Sequence, residues 1–467
     1  MPLSVHPACL RRAPVLALLA WLLAGGGLAV PAAQTVFDAA ARTARIAELA
    51  RELRSGNPWP AIRRERIRTL LPAAMDAAGV DAWVVFCRED NNDPLAKHVG
   101  GENAGRPTIF LFLRTAGGVN SVVIAPPTEA VALAETLSDA TVVAMPDRDP
   151  FAVLADEIRR VQPRTIAVNR SELAVADGLS AMQEARLKGA LGPDLSALLR
   201  SSEELVVRWL GVKLPAEIAI MRRAAVLTDL LEYEAFDLVV PGKTTNGDMQ
   251  RQMRARVAEL GFGHAWIDNP GIQSGLDRGR GSDARRTIVE GDVINIDFGI
   301  KVYDTWCTDL QRFAYVLRPG ETGAPQEVAY AWESASGSSR RMQAGMRPGM
   351  AGWDVDRIQV DWMRQRRSLP HWANTGHAVG YWAHDVGPII GGFTRKPAAR
   401  GNENRTLQAG MVFAFDGNFV WPAEDAGVKG TRSITSEEMA AVNATGAEYL
   451  SPVQQRLVLI PGRPSAK

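Results

Sequence analysis

One stretch constrains this chain more than any other: residues 291–315, GDVINIDFGIKVYDTWCTDLQRFAY. Val293, Asn295 and Asp297 alternate with Ile294, Ile296 and Phe298, the period-two pattern of a strand with one buried face. Gly299 allows a turn, and a second alternating run over 308–315 returns as the partner strand. Such a hairpin presents two carboxylates, Asp297 and Asp309, on one face. Two carboxylates facing each other in a partly dry site repel. They coexist when one holds a proton or when a cation lies between them, and the second arrangement is a metal site. Two unrelated aspartates facing water fit the same pattern, so the rest of the chain has to decide.

The chain has 467 residues, enough for two or three domains. With 46% hydrophobic and 22% charged residues it can fill an ordinary core. A net charge of +1 gives no footing for nucleic acid or an anionic membrane as partner. Arg11 and Arg12 precede an apolar run over 13–30 that closes on Pro31-Ala32-Ala33, the pattern of a secretory signal peptide cleaved near Ala33. An uncleaved anchor helix is the alternative, and Gly25, Gly26 and Gly27 weaken it. The expected product is secreted or periplasmic, with no membrane attachment after cleavage, since no later stretch is long and apolar enough to span a bilayer. Cys9 leaves with the leader. Cys87 and Cys307 remain on opposite sides of a domain border expected near residue 205, so no disulfide is expected. No CxxC pair is present, which excludes a thiolate zinc site. Asn169, Asn404 and Asn443 head glycosylation patterns that count only in a host that glycosylates.

Residues 34–205 read as an α/β domain: short apolar strands (DAWVVFC, TIFLFLR, SVVIA, TVVAM, RTIAVN) alternate with helices. It holds no glycine-rich phosphate loop. From Ala216 a long amphipathic helix runs toward a stop at Pro241-Gly242. A second helix closes on Gly261, a glycine-rich stretch follows, and then comes the hairpin. The expected layout is a leader at 1–33, the α/β domain at 34–205 and a second domain at 206–460.

Helix, proline-glycine, helix and carboxylate hairpin resemble the catalytic domain of the pita-bread metallopeptidases. That family includes aminopeptidase P, prolidase and methionine aminopeptidase, with metal-free creatinase as a relative. The added N-terminal domain resembles the aminopeptidase P, prolidase and creatinase branch. The resemblance implies an α/β N-terminal domain followed by an α+β pita-bread domain. It also implies two divalent metal ions, manganese first, with cobalt, iron or zinc as alternatives. Their ligands map onto Asp297 in NIDFG, Asp309 in CTDLQRFAYV, His377 in TGHAVGYWAHDVG and Glu437 in SEEMAAVNATGAEYLS. The fourth carboxylate is a departure: Asp416 in GMVFAFDGN stands where the family has glutamate, as metal ligand and general base. The resemblance makes His384 a catalytic, substrate-contacting residue. Arg312 matches a basic position of the same motif, which places it at the substrate or beside a ligand carboxylate.

Charge supports the same set independently. Two divalent ions bring +4 against four carboxylates, a near-neutral core that a dry cavity tolerates. Aspartate at 416 reaches about 1.5 Å less than glutamate, and Gly417 beside it gives the backbone room to move in. Two other departures stand out. Ala373 occupies a position where the aminopeptidase P branch has histidine, and the loop around Arg280 and Gly281 lacks a second family histidine. His264 and His371 fall on neither position. Trp353, Trp362, Trp372, Trp382 and Trp421 crowd the second domain, either as core or as the wall of an apolar pocket. The implied activity is that of an exported aminopeptidase of Xaa-Pro type, which hydrolyses a peptide substrate with a metal-bridged hydroxide. A homodimer is a further expectation from the family. The competing readings are a creatinase-like, metal-independent amidinohydrolase and a non-catalytic binding protein with the same fold.

Overall fold

The computed structural model describes residues 38–137, 140–145, 147–267, 270–276, 283–369, 375–392, 401–425 and 427–462. The expected leader lies outside them, as do Arg280, Gly281, His371, Trp372 and Ala373.

The first domain is built on a mixed six-stranded sheet. Its strands are β1 (Ala82–Cys87), β2 (Thr108–Thr115), β3 (Gly118–Ala125), β4 (Ala140–Ala144), β5 (Ile166–Val168) and β6 (Leu199–Ser201), in the order β4-β3-β2-β1-β5-β6. β1 is buried at every position, as a near-continuous apolar run requires when both faces of a sheet are covered. Ala82, Val84 and Phe86 pack with Leu154, Ile158 and Leu187 of the helices Pro150–Val161 and Ala181–Ser196. Trp83, Val85 and Cys87 pack on the other side with Ile62 and Met75. Cys87 and Cys307 are both buried free thiols.

A polar knot closes one end of this sheet. Asn169 donates to both carboxylate oxygens of Asp93 at 3.0 and 2.9 Å. Asn169 is 1% exposed, so it cannot be reached as a glycan acceptor. Burial pushes the Asp93 carboxyl up to about 6. A carboxyl raised by folding lends stability below its unfolded value of about 3.9 and loses it as pH rises through the folded value, a swing of up to about 3 kcal/mol. Asp93→Asn removes that titration. The melting-temperature difference between variant and parent is therefore expected to move in the variant's favour from about pH 4.5 to 7.5; a difference that stays flat with pH would show Asp93 ionised in the native protein throughout.

The expected border at 205 falls inside a helix, Glu203–Gly211, whose Leu205, Val206, Trp209 and Leu210 are buried in a core shared by both domains. The next helix, Pro215–Phe236, opens with proline at its first position, where the missing N–H costs nothing. It ends at Phe236, short of the Pro241-Gly242 stop. Ile220, Met221, Ala224 and Leu227 of this helix pack in one core with Ile294, Ile296, Phe298, Leu310 and Ala314 of the hairpin.

That hairpin differs from the expected one. After β7 (Gly263–His264) and β8 (Gly271–Ser274), strand β9 (Val293–Phe298) does not reverse at Gly299. The chain continues into β10 (Ile300–Val302) and turns over 303–305, where Tyr303 and Asp304 take left-handed conformations at φ 53° and 49°. It returns through β11 (Trp306–Cys307) into β12 (Leu310–Val316). Gly299 is needed for close approach instead: a Cβ there would lie 2.0 Å from the Thr308 carbonyl oxygen.

Two four-stranded sheets then face the site. The first has the order β19-β12-β9-β8. The second has the order β13-β14-β17-β18. The later strands are β13 (His377–Ala378), β14 (Val412–Phe415), a separate hairpin of β15 (Phe419–Asp425) and β16 (Val428–Ile434), then β17 (Glu438–Val442), β18 (Ala447–Tyr449) and β19 (Val458–Ile460). Helices Gln326–Gly345 and Gly352–Gln365 cover the second sheet through Met342 and Val355 against Phe413, Phe415 and Val442. Among the described residues no helix is long and apolar enough to cross a membrane.

Candidate metal centre

Strand parity builds the first half of the site. The Ile294, Ile296 and Phe298 side chains point into the core at 0% exposure, which turns Asn295 and Asp297 to the opposite face. Gln311 on β12 stands opposite Asp297 in register, and Asp309, two residues earlier, precedes the strand on the same side. The second sheet supplies His377 at the start of β13, Asp416 just after β14, and Glu437 just before β17. The two sheets meet through Gln311, whose N–H donates to the Glu437 carbonyl at 3.3 Å and whose Nε2 donates to Glu437 Oε2 at 2.7 Å. Asn295 Nδ2 in turn donates to Gln311 Oε1 at 2.9 Å. The Asn295–Gln311–Glu437 chain fixes the last carboxylate. Sequence reasoning missed it, though both Asn295 and Gln311 lie on the parity that carries Asp297.

All five expected ligands converge, in three overlapping groups whose ligand atoms lie within 4.8 Å of one another: Asp297, Asp309 and Glu437; His377, Asp416 and Glu437; and Asp309, His377 and His384. The electrostatics are those of a site short of positive charge. Burial, then Asp416, pushes the Asp297 carboxyl up to about 7. Burial raises Asp416 to about 6. Asp309 and Glu437 stand well above the usual carboxylate range, by burial first and then by repulsion from the other acids. Burial lowers His377, which keeps its imidazole neutral. Its Nδ1 lies 3.2 Å from the Ala378 carbonyl, so that nitrogen carries the proton and donates. Nε2 is then a bare lone pair, 3.7 Å from Asp309 Oδ2 and 3.8 Å from Glu437 Oε1. A lone pair facing two crowded acids is an arrangement that a cation completes in place of their protons. Asp416 Oδ1 adds to this: it is buried without a hydrogen-bond partner among the described residues. The donor set, oxygen-rich with one imidazole, fits a divalent transition ion.

His384 sits at the exposed edge of the cluster with its ring 4.5 Å from that of His377. Its loop is held from below: Asp385 accepts from Lys213 Nζ at 3.1 Å and from the Tyr381 N–H at 3.0 Å. Tyr381 donates its hydroxyl to Glu217 at 2.6 Å, and Glu217 also takes Arg66 of the first domain at 2.6 Å. The first domain thus braces the loop that follows His377 and carries His384.

Arg312 needs correcting. Expected at the substrate, it is 0% exposed and points away from the acidic face, because it alternates with Gln311 along β12. It donates to Asp229 at 2.5 Å, to Glu438 at 3.1 Å and to the carbonyls of Gln311 and Glu437. Its role is to position the segment bearing Glu437. The described tryptophans divide as well. Trp362 and Trp421 donate their ring N–H to the backbone carbonyls of Ser334 and Arg366, as packed side chains do. His264 lies on β7 beside Ile300 and in none of the three ligand groups.

Comparison with known proteins agrees with this arrangement. Residues 219–444 match the metallopeptidase family M24. The chain therefore carries an M24 metallopeptidase domain, with an α/β domain ahead of it. Solved structures with the same architecture include an X-Pro aminopeptidase from Thermotoga maritima MSB8, at 19% identity and a TM-score of 0.61 over 83% of this chain and 100% of that one. An Xaa-Pro dipeptidase from Bacillus anthracis matches at 16% identity and 0.60, over 86% and 100%. A prolidase from Pyrococcus furiosus matches at 16% and 0.55, over 82% and 100%. No curated protein matches the chain.

Proposed function

We propose that this metallopeptidase is a dinuclear-metal aminopeptidase of Xaa-Pro type that works outside the cytoplasm. The observation that carries the reading is the clustering of four buried acids in overlapping groups with His377, whose bare Nε2 faces Asp309 and Glu437. Asp297, Asp309, His377, Asp416 and Glu437 would hold the ions, with manganese the first candidate. Bound there, the ions supply Lewis-acid polarisation of the scissile carbonyl and a water acidic enough to attack it near neutral pH. The chain's own residues do the rest. Asp416, raised by burial toward neutrality, is suited to take the proton from the attacking water and return it to the leaving amine. His384, neutral at the open edge, is placed to donate to the substrate at the scissile bond. Gln311 and Arg312 keep Glu437 in place. The neighbours' names motivate Xaa-Pro substrates, and the basic, apolar, small-residue leader of residues 1–33 motivates export. The metal-independent reading loses ground because every ligand position keeps a ligand. The binding-only reading rests on Asp416 in place of glutamate.

The test is to titrate manganese into metal-stripped protein beginning at residue 34 and count retained ions, then screen Xaa-Pro peptides against controls without proline. Two ions and release of the first residue are expected. Two ions without any hydrolysis would leave a binding protein, and no ions at all would end the metal mechanism. N-terminal sequencing of protein recovered from the host's extracytoplasmic fraction tests the leader, and an intact Met1 there would count against cleavage.

A further inference from the structure

Asp416 is the position where this chain departs from the glutamate of its family, and the residues around it are packed in an unusual way. Gly417 has an ordinary backbone conformation and does not need to be glycine for its dihedral angles. It needs to be glycine for space. A Cβ at 417 would lie 1.1 Å from Nε2 of Gln359 and 2.1 Å from its Cδ. The amide of Gln359 therefore occupies the volume where any other residue would place its side chain. Gln359 is 2% exposed, on the helix Gly352–Gln365, and its Oε1 has no hydrogen-bond partner among the described residues. Three residues earlier, and so on the same face of that helix, Asp356 is equally buried and accepts from Thr375 Oγ1 at 2.6 Å. The Thr375 carbonyl in turn accepts from the backbone N–H of Asp416 at 3.3 Å. One helix face thus holds both sides of the Asp416 peptide: Asp356 through Thr375 on the N-terminal side, and Gln359 against Gly417 on the C-terminal side.

We propose that Gln359 and Gly417 form an interlock that sets the reach of Asp416, with Gln359 as a positioning residue for that ligand. The inference rests on the metal reading above and deepens it. An aspartate must bring its backbone closer to the ions than a glutamate would, and the glycine lets a side chain from the helix seat the shortened strand end from behind. The Asp416 Oδ1 left without a partner is the atom so presented.

The amide is the far end of a flexible side chain, so a methyl group at 417 displaces Gln359 instead of destroying the fold. This gives a distinctive signature. With manganese-loaded protein, Gly417→Ala and Gln359→Ala are each expected to weaken the more loosely held Mn2+ and to lower kcat by about 10- to 100-fold, the usual cost of losing support behind a metal ligand, while KM changes little. The double variant is expected to be no worse than the poorer single one, because both changes break the same contact. Gln359→Met, which keeps the volume, should recover most of both readouts and guards against a Gln359→Ala that fails to fold. Gly417→Ala behaving like the parent, losses that multiply in the double variant, or Gln359→Met as poor as Gln359→Ala would each overturn the interlock. Mn2+ affinity is measured separately from turnover. A parent that binds two ions but cleaves no peptide would sink the proposed activity, and the affinity comparison would still decide this inference.

Discussion

Stripped of divalent metal, the protein is expected to melt at a lower temperature as pH rises from about 5 to about 8, and saturating manganese should abolish that slope. The sign follows from the raised carboxyls. Asp297 at about 7 and Asp416 at about 6, with Asp309 and Glu437 also raised well above the usual carboxylate range, keep their protons in the metal-free state to higher pH than they do in the unfolded chain. Groups raised by folding contribute stability below their unfolded values near 4 and lose it as pH climbs through the folded ones. Four buried charges are then forced together with only a neutral imidazole for company. The ions replace the protons, so binding should release protons, which calorimetry in buffers of different ionisation enthalpy detects directly. Asp309→Asn separates the contributions. Removing one repelling charge should make the metal-free variant more heat-stable than the metal-free parent above about pH 7, each kcal/mol recovered being worth roughly 2–4 °C. The same variant should fail to retain the ion pair and lose turnover by at least 100-fold or so, since even outer-shell changes cost about 10- to 100-fold. A variant that loses stability in the metal-free state, or keeps two ions, would show that Asp309 does not belong to the repelling cluster.

How much of this was legible in the sequence depends on the range of the signal. Asp297 could be placed from parity alone, because Ile294, Ile296 and Phe298 must face a core and a strand has only two faces. His377, Asp416 and Glu437 have no such local signal. Each stands at the end of a short strand in the second sheet, and only the motif resemblance assembled them. The reversal was misplaced for a related reason: Gly299 looks like a turn residue, yet it is glycine because the Thr308 carbonyl passes close by. The helices Gln326–Gly345 and Gly352–Gln365 escaped attention too, and with them Gln359. A glutamine on a mixed-polarity helix face carries no mark of burial until the sheet it packs against is known. Arg312 shows the converse error. The motif singled out a real position, but its role depends on which way one strand residue points, and Gln311 next door takes the site-facing side.

That orientation leads to the largest stability effect expected here. Arg312 is surrounded by three buried acids. It is hydrogen-bonded to Asp229 and Glu438, and Glu232 lies close enough to feel its charge while its carboxyl oxygens have no hydrogen-bond partner among the described residues. Burial holds Glu232 well above the usual range, so it stays neutral, and raises Glu438 to about 7 despite the arginine. Arg312→Leu removes the only cation bonded to that group among the described residues and strands at least one buried carboxylate, at a cost of about 3–5 kcal/mol. In a domain of this size that lowers the melting temperature by on the order of 10 °C. Added salt should not mask the loss, since the pair is shielded from solvent. Arg312→Lys should recover little of it, because an ammonium cannot span Asp229, Glu438 and the carbonyls of Gln311 and Glu437 with a planar fork. Whatever fraction of either variant stays folded should show an unchanged KM with a reduced kcat, as expected when Glu437 shifts but no substrate contact is lost. A raised KM at undiminished heat stability would instead return Arg312 to the substrate, and would mean that β12 presents its other face to the site.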